Sequence, residues 1–239
     1  MGRKPTLKSA RVLTRSTIAD QVYEDIKERI LDQTLKPGER LTIEILSRGL
    51  GVSSSPIREA LARLESEKLV VSEFYTGYSV APAPDPKYLR DLLDFRIMME
   101  GECARIGAPR KNPETIAAMT AAFEKMSKTK RLGTRYREYD NFIAEDQNFH
   151  RAIVASSGNL AMIAVYADLN AILHQSRLYI SRSTDGSPAE EVLAEHHEIL
   201  AAFVAGDGDA AAAAIRRHFD GGKRRLHKAS TPTPDAGAA

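Results

Sequence analysis

The stretch Ser53-Ser54-Ser55-Pro56-Ile57-Arg58-Glu59-Ala60-Leu61-Ala62-Arg63-Leu64 decides how the rest of the chain is read. Serines ahead of a proline mark a helix start. A serine suits the N-cap, and proline at the first helical position gives up an N–H that has no partner there. Ile57, Ala60, Leu61 and Leu64 then recur on one face, which predicts a helix to about Glu67 with a single buried side. Working back, Ile43 to Leu50 reads as a short helix stopped by Gly51. Before it, Ile18, Val22, Ile26 and Ile30 mark a helix from Ile18 to Leu31, ended by Lys36-Pro37-Gly38. Working forward, Leu69–Phe74 and Tyr78–Val80 read as two strands joined by Tyr75-Thr76-Gly77. Two helices, a proline-started helix and a hairpin outline a winged helix-turn-helix.

Beyond Val80 the stiff run Ala81-Pro82-Ala83-Pro84-Asp85-Pro86 separates this unit from a second one. Helical patterns cover roughly 87–107, 113–132, 136–156, 159–182, 188–205 and 208–227, and no strand pattern intervenes. The expected organisation is a basic arm over 1–16, a winged helix-turn-helix over 17–82 and a linker over 83–86. An all-helical bundle follows over 87–228, with a disordered tail over 229–239. The fold class is mainly α.

Composition excludes several functions. At 43% hydrophobic and 28% charged residues in 239, the chain can build real cores. No apolar run nears the roughly 20 residues of a membrane span, and the basic start has no apolar stretch behind it, so neither a membrane nor a secreted protein is expected. The single cysteine, Cys103, fits a reducing cytoplasm. Net charge is +2, but Arg3, Lys4, Lys8, Arg11 and Arg15 fall within the first seventeen residues with no acid among them. Such an arm can follow a polyanion.

A recognition helix reads the major groove from its N-terminal turns. Ser53, Ser54 and Ser55 offer hydroxyls and free N–H groups to phosphate there, and Arg58 can reach guanine O6 and N7. Pro37-Gly38-Glu39-Arg40-Leu41, Leu50-Gly51-Val52-Ser53, Pro56 to Leu64 and Gly77-Tyr78-Ser79-Val80, in that order, closely resemble the DNA-binding domain of GntR-family transcriptional regulators. The resemblance spans about 16–82. It implies that Ser53, Ser54, Ser55, Arg58 and Arg63 face DNA, with Thr76 and Gly77 at the wing. Three positions depart from the family pattern: Ser54-Ser55 where a cation and threonine are common, Lys68 for a glycine, and Gln33-Thr34 for another.

In the helical half, Asp146 and His150 stand four residues apart and project from one helix face. His196 and His218 lie on two later helices, and together one carboxylate and three imidazoles can hold a divalent metal. Neighbouring His197 points about 100° away from His196 around the helix. Asp146-x-x-Phe149-His150-x-x-Ile153, Ser157-Gly158-Asn159, His196-x-x-Ile199-Leu200 and His218 resemble the FCD ligand-binding domain of the FadR subfamily. That resemblance implies a metal at Asp146, His150, His196 and His218, with Zn2+ the default and Ni2+ or Mn2+ acceptable to the same donors. Arg96 matches a family arginine that would neutralise a small carboxylate effector, and an ion pair with Glu100, four residues on, is equally compatible. Asn170 and Arg177 are further effector candidates.

The expected function is a metabolite-responsive transcriptional regulator, a repressor by family habit, binding an inverted-repeat DNA operator as a homodimer. The alternatives are the same DNA-binding protein with a purely structural metal, or a metal-dependent hydrolase. The last has no His-Glu-x-x-His motif, phosphate loop or nucleophile elbow to support it.

Overall fold

A computed structural model describes residues 16–73, 77–129, 135–169, 172–173 and 189–230. Helix α1 (Ile18–Leu31) opens with a capping box in which the Thr17 hydroxyl takes the Asp20 N–H and the Asp20 carboxylate takes the Thr17 N–H. Its buried stripe is Val22, Ile26 and Ile30 as expected, but Ile18 is 59% exposed and Ala19 is buried in its place. Strand β1 (Arg40–Leu41) precedes α2 (Ile43–Leu50) and α3 (Ser54–Ser66). Strands β2 (Val70–Glu73) and β3 (Gly77–Val80) complete the unit. The sheet order is β1-β3-β2, all antiparallel, with Leu41 opposite Tyr78 and Ser72 opposite Tyr78 on the other side. Ile57, Ala60, Leu61 and Leu64 of α3 are fully buried against α1.

Two sequence expectations change here. Pro56 is the third residue of α3, not the first, and Ser53 is the N-cap without a side-chain bond. The physics of the start survives, because the third N–H of a helix also lacks an internal acceptor. Strand β1 was not anticipated. Two residues carry no alternation, and this strand exists only because β3 offers it a ladder edge.

The second unit runs α4 (Pro86–Gly107), a 3-10 turn, α5 (Pro113–Met126), α6 (Tyr136–Ser156), α7 (Leu160–Asp168), α8 (Glu190–Ala205) and α9 (Gly208–Ser230). Asp85 caps α4, so the helix begins inside the expected linker, at Pro86. The pattern over 113–132 ends early, at Met126, and α9 extends to Ser230, past the expected boundary at 228. The pattern over 159–182 is helical at 160–168 and 172–173, and 174–188 lie outside the described residues. Helix α4 packs along α9, α5 along α6, and α8 along both α9 and α5. Gly107 is required where α4 crosses α6, since a Cβ there would stand 1.8 Å from the Ser156 Oγ. Among the described residues no helix is long and apolar enough to cross a membrane.

Helix α6 also joins the two units. The Tyr136 N–H donates to Asp32 Oδ1 at 2.8 Å, the Arg137 guanidinium meets Glu28 at 2.7 Å, and Lys27 Nζ lies 5.7 Å from the Tyr136 ring centre. The C-terminal end of α1 thus holds the N-terminus of α6.

Candidate functional site

In the first unit, Ser53, Ser54 and Ser55 are exposed at the N-terminus of α3. Arg58 is exposed one turn in, on a groove that Arg40, Thr42, Gly77 and Tyr78 also line. No ion pair or hydrogen bond ties the Arg58 guanidinium to another described residue. Gly77 holds φ at +85°, a left-handed value that favours glycine, and nothing stands within 4 Å of where a Cβ would lie. Arg40 is the residue the sequence reading missed, because it reaches this groove through β1. Thr76 lies outside the described residues.

Arg63 points elsewhere. Five residues on from Arg58, about 140° round the helix, its Nη1 donates to Asp20 at 2.7 Å and its guanidinium stacks 4.0 Å over the Tyr23 ring. A hydrogen bond from the Thr17 backbone, followed by those from Arg63 and the Thr17 hydroxyl, holds the Asp20 carboxyl down at about 2. Arg63 thus pairs across the α1–α3 seam, on a different side of the helix from Arg58.

In the second unit Asp146, His150, His196 and His218 are all buried, and one ligand atom from each falls within 4.8 Å of all the others. Four ligands around one ion at about 2.0–2.2 Å stand at most about 4.4 Å apart, so the cluster is a slightly expanded coordination set. Helix α6 brings Asp146 and His150, α8 brings His196, and α9 brings His218. His197 is exposed, tilted at 5.9 Å from the Phe123 ring.

The outer contacts of the three imidazoles decide what their inner atoms can do. His150 Nδ1 meets Glu100 Oε2 at 2.6 Å, His196 Nδ1 donates to the Val192 carbonyl at 2.8 Å, and His218 Nδ1 meets Glu195 Oε2 at 2.8 Å. Each Nδ1 faces an acceptor, a geometry that suits the Nδ1–H tautomer and turns Nε2 toward the centre of the cluster. Asp146 Oδ1 lies 3.1 Å from His196 Nε2 and 3.5 Å from His150 Nε2, yet neither nitrogen is in hydrogen-bonding geometry with a described residue. Lone pairs converging in a buried site are what a cation neutralises. The donor set fits a divalent metal.

Burial, with help from neighbouring His196 and His150, pushes His218 down to about 3 against the pull of Glu195. It is thus a neutral ligand at ordinary pH. Burial alone would raise Glu195, but the hydrogen bonds from His218 and Arg225 outweigh it and hold the carboxyl at about 2. Arg225 grips both Glu195 oxygens at 2.9 Å.

Arg96 is 3% exposed, and its Nε donates to Glu100 Oε1 at 2.7 Å, the ion pair foreseen from its spacing. Its guanidinium lies 4.3 Å over the Phe219 ring, while its Nη2 is buried without a hydrogen-bond partner among the described residues. Tyr166 also donates to Glu100 Oε1, at 3.2 Å. Sequence reasoning did not foresee the outer roles of Glu100, Glu195 and Tyr166, since each acts across helices with no local spacing to reveal it. Asn170 and Arg177 lie outside the described residues.

Comparison with known proteins matches both halves. A family model described as FCD domain covers residues 91–221, and one described as bacterial regulatory proteins, gntR family, covers residues 18–80. The HTH-type transcriptional regulator YdhC of Bacillus subtilis is 28% identical over 200 residues, spanning 84% of this chain and 87% of its own. The HTH-type transcriptional repressor GlaR of Escherichia coli is 28% identical over 199 residues, spanning 82% and 90%. Among solved structures, a GntR transcriptional regulator from a Rhodococcus species shares the fold with a TM-score of 0.64 at 21% identity, covering 89% of this chain and 99% of its own.

Proposed function

The chain belongs to the GntR family of bacterial regulatory proteins and carries an FCD domain behind its winged helix, and from that premise we propose a metal-dependent sensor of small carboxylates that represses transcription. It is a DNA-binding transcriptional regulator and not an enzyme. The finer reading is a cytoplasmic repressor of the FadR subfamily that grips an inverted repeat as a homodimer, Arg58 and Arg40 reaching the groove and Ser53 to Ser55 the phosphates.

The observation that carries the sensor reading is the convergence of Asp146 with two buried Nε2 atoms that make no hydrogen bond among the described residues. Asp146, His150, His196 and His218 would hold the ion, Zn2+ by donor type. When bound, it supplies a Lewis-acidic centre on which a carboxylate can anchor. Charge counting favours an anion there. Glu100 is matched by Arg96 and Glu195 by Arg225, so a divalent ion with Asp146 leaves one net positive charge in a buried site. The spare Nη2 of Arg96 is a ready second contact for the same anion.

Helix α6 supports a route to DNA. It bears two metal ligands, and its first turn is held by Asp32 and Glu28 of α1, roughly 15 Å away along the helix axis at 1.5 Å per residue. An effector that prefers one placement of α6 would bias the winged helix.

The test is a thermal-shift screen of the purified full chain, metal-stripped and Zn2+-loaded, against small mono- and dicarboxylates. A shift that appears with an acid and vanishes without metal supports the sensor. A shift with Zn2+ alone, and none with any acid, reduces the metal to a structural staple.

A further inference from the structure

Glu100 stands at the junction of the two parts of this site. It is wholly buried on α4, and its two oxygens face different ways. Oε2 meets His150 Nδ1 on α6 at 2.6 Å, while Oε1 accepts from Arg96 Nε at 2.7 Å and from the Tyr166 hydroxyl on α7 at 3.2 Å. We propose that Glu100 is a positioning residue that sets the tautomer of His150 for metal binding and ties that setting to the Arg96 guanidinium. The proposal rests on the metal-site reading above.

The chemistry leaves Glu100 no equivalent substitute. An ionised carboxylate accepts on both oxygens, so it can serve a donor on each side at once. By accepting from Nδ1 it keeps the His150 proton on the outer nitrogen, and the Nε2 lone pair faces Asp146 and the centre of the cluster. Glutamine has the same shape but one accepting and one donating end. With its oxygen toward His150, its amide NH2 meets the Arg96 Nε–H, two donors face to face. With its oxygen toward Arg96, its NH2 meets His150 Nδ1, which must then accept, and the proton moves to Nε2, where it blocks the metal. One side loses in either orientation, and the second is favoured because its single accepting oxygen then serves both the charged Arg96 Nε–H and the Tyr166 hydroxyl. For the same reason, any anion that draws Arg96 away from Glu100 alters how His150 is held, so effector and metal binding become linked through one carboxylate.

The experiment compares the wild-type full chain with Glu100→Gln. In metal-free protein, long-range nitrogen–proton NMR correlations report the His150 tautomer. In a competition titration against a chelating dye, Zn2+ affinity is read directly. The expected result is an Nδ1–H tautomer in the wild type, a gain of Nε2–H in Glu100→Gln, and Zn2+ affinity about 10- to 100-fold weaker, the usual size of an outer-partner loss. A folded Glu100→Gln variant with the wild-type tautomer, or with affinity within about twofold of wild type, overturns the proposal. Should Glu100→Gln not fold, Arg96→Met carries the test. Among the described residues Arg96 makes its ion pair with Glu100 and its ring contact with Phe219, and no hydrogen bond or ion pair with any of the four ligands, so weaker Zn2+ binding supports the relay and unchanged binding overturns it. A wild-type chain that binds no Zn2+ sinks the metal reading, while the tautomer comparison still decides what Glu100 does to His150.

Discussion

Replacing His196 by alanine tests the metal centre most directly. His196 is fully buried, its Nδ1 is spent on the Val192 carbonyl, and its Nε2 faces Asp146 at 3.1 Å. If the wild type is given Zn2+ at about a thousand times its dissociation constant, binding stabilises the fold by about 4.1 kcal/mol. For a chain of this size that is a melting shift of roughly 8–16 °C. Losing one of four ligands should weaken binding at least about 100-fold, beyond the effect of a typical outer partner. The ratio of Zn2+ to dissociation constant then falls to about ten, worth about 1.4 kcal/mol, and the shift falls to roughly 3–6 °C. The assay is differential scanning fluorimetry on metal-stripped protein with and without Zn2+, comparing metal-induced shifts within each variant. That comparison cancels the packing loss beside Phe149 and His218, whose rings lie 4.9 and 4.5 Å away. Exposed His197 is the control, and His197→Ala should keep the whole shift. A full wild-type shift in His196→Ala would refute the four-ligand assignment.

Arg58→Ala should cost about 1–3 kcal/mol of operator discrimination in a fluorescence-anisotropy titration, whereas Arg63→Ala should lower the melting temperature of the winged helix more than it changes sequence preference. Unchanged discrimination in Arg58→Ala would count against the groove assignment. Lys68 follows α3 with φ at +61°, its N–H donating to the Glu65 carbonyl and the Leu69 N–H to the Leu64 carbonyl, the left-handed cap that glycine normally occupies. Lys68→Gly should stabilise the protein by about 0.5–1 kcal/mol, the left-handed cost relieved less the backbone entropy glycine adds to the unfolded chain, and a lower urea midpoint would contradict this. Acid should weaken the metal-stripped fold. His218 falls from an ordinary 6.5 to about 3 and Glu195 from 4.5 to about 2, so the unfolded chain takes up protons first. Stability is then full above pH 6.5, erodes through His218 down to about 3, and erodes further through Glu195 between about 4.5 and 2. A unfolding free energy that stays flat from pH 7 to 4 would rule out a neutral, buried His218.

Much of this molecule was legible in one dimension because its signals are local. The buried stripe of α3, the wing glycine at Gly77 and the Asp146–His150 spacing each follow from residues within a turn or two of one another. Even the two departures from glycine were visible as such, and both Gln33 and Lys68 take left-handed backbone there. The four candidate ligands followed from helix register taken together with the resemblance to the FCD domain.

What the chain could not reveal by itself is where side chains end up when several elements compete for them. Arg63 reads as a second DNA contact in the sequence, and the fold pairs it with Asp20 and Tyr23 of α1. Arg40 entered the groove only because β3 gives a two-residue strand an edge to pair with. Glu100, Glu195 and Tyr166 acquired their outer roles from the crossing of α4, α6, α7, α8 and α9, contacts as much as 66 residues apart in sequence. Sequence determined the elements, the caps and the ligand types, because backbone propensity and helical period act over a few residues. Tertiary structure decided which polar atoms are paired and which are left facing a common centre, because desolvation and hydrogen bonding act only between groups that the fold has brought together.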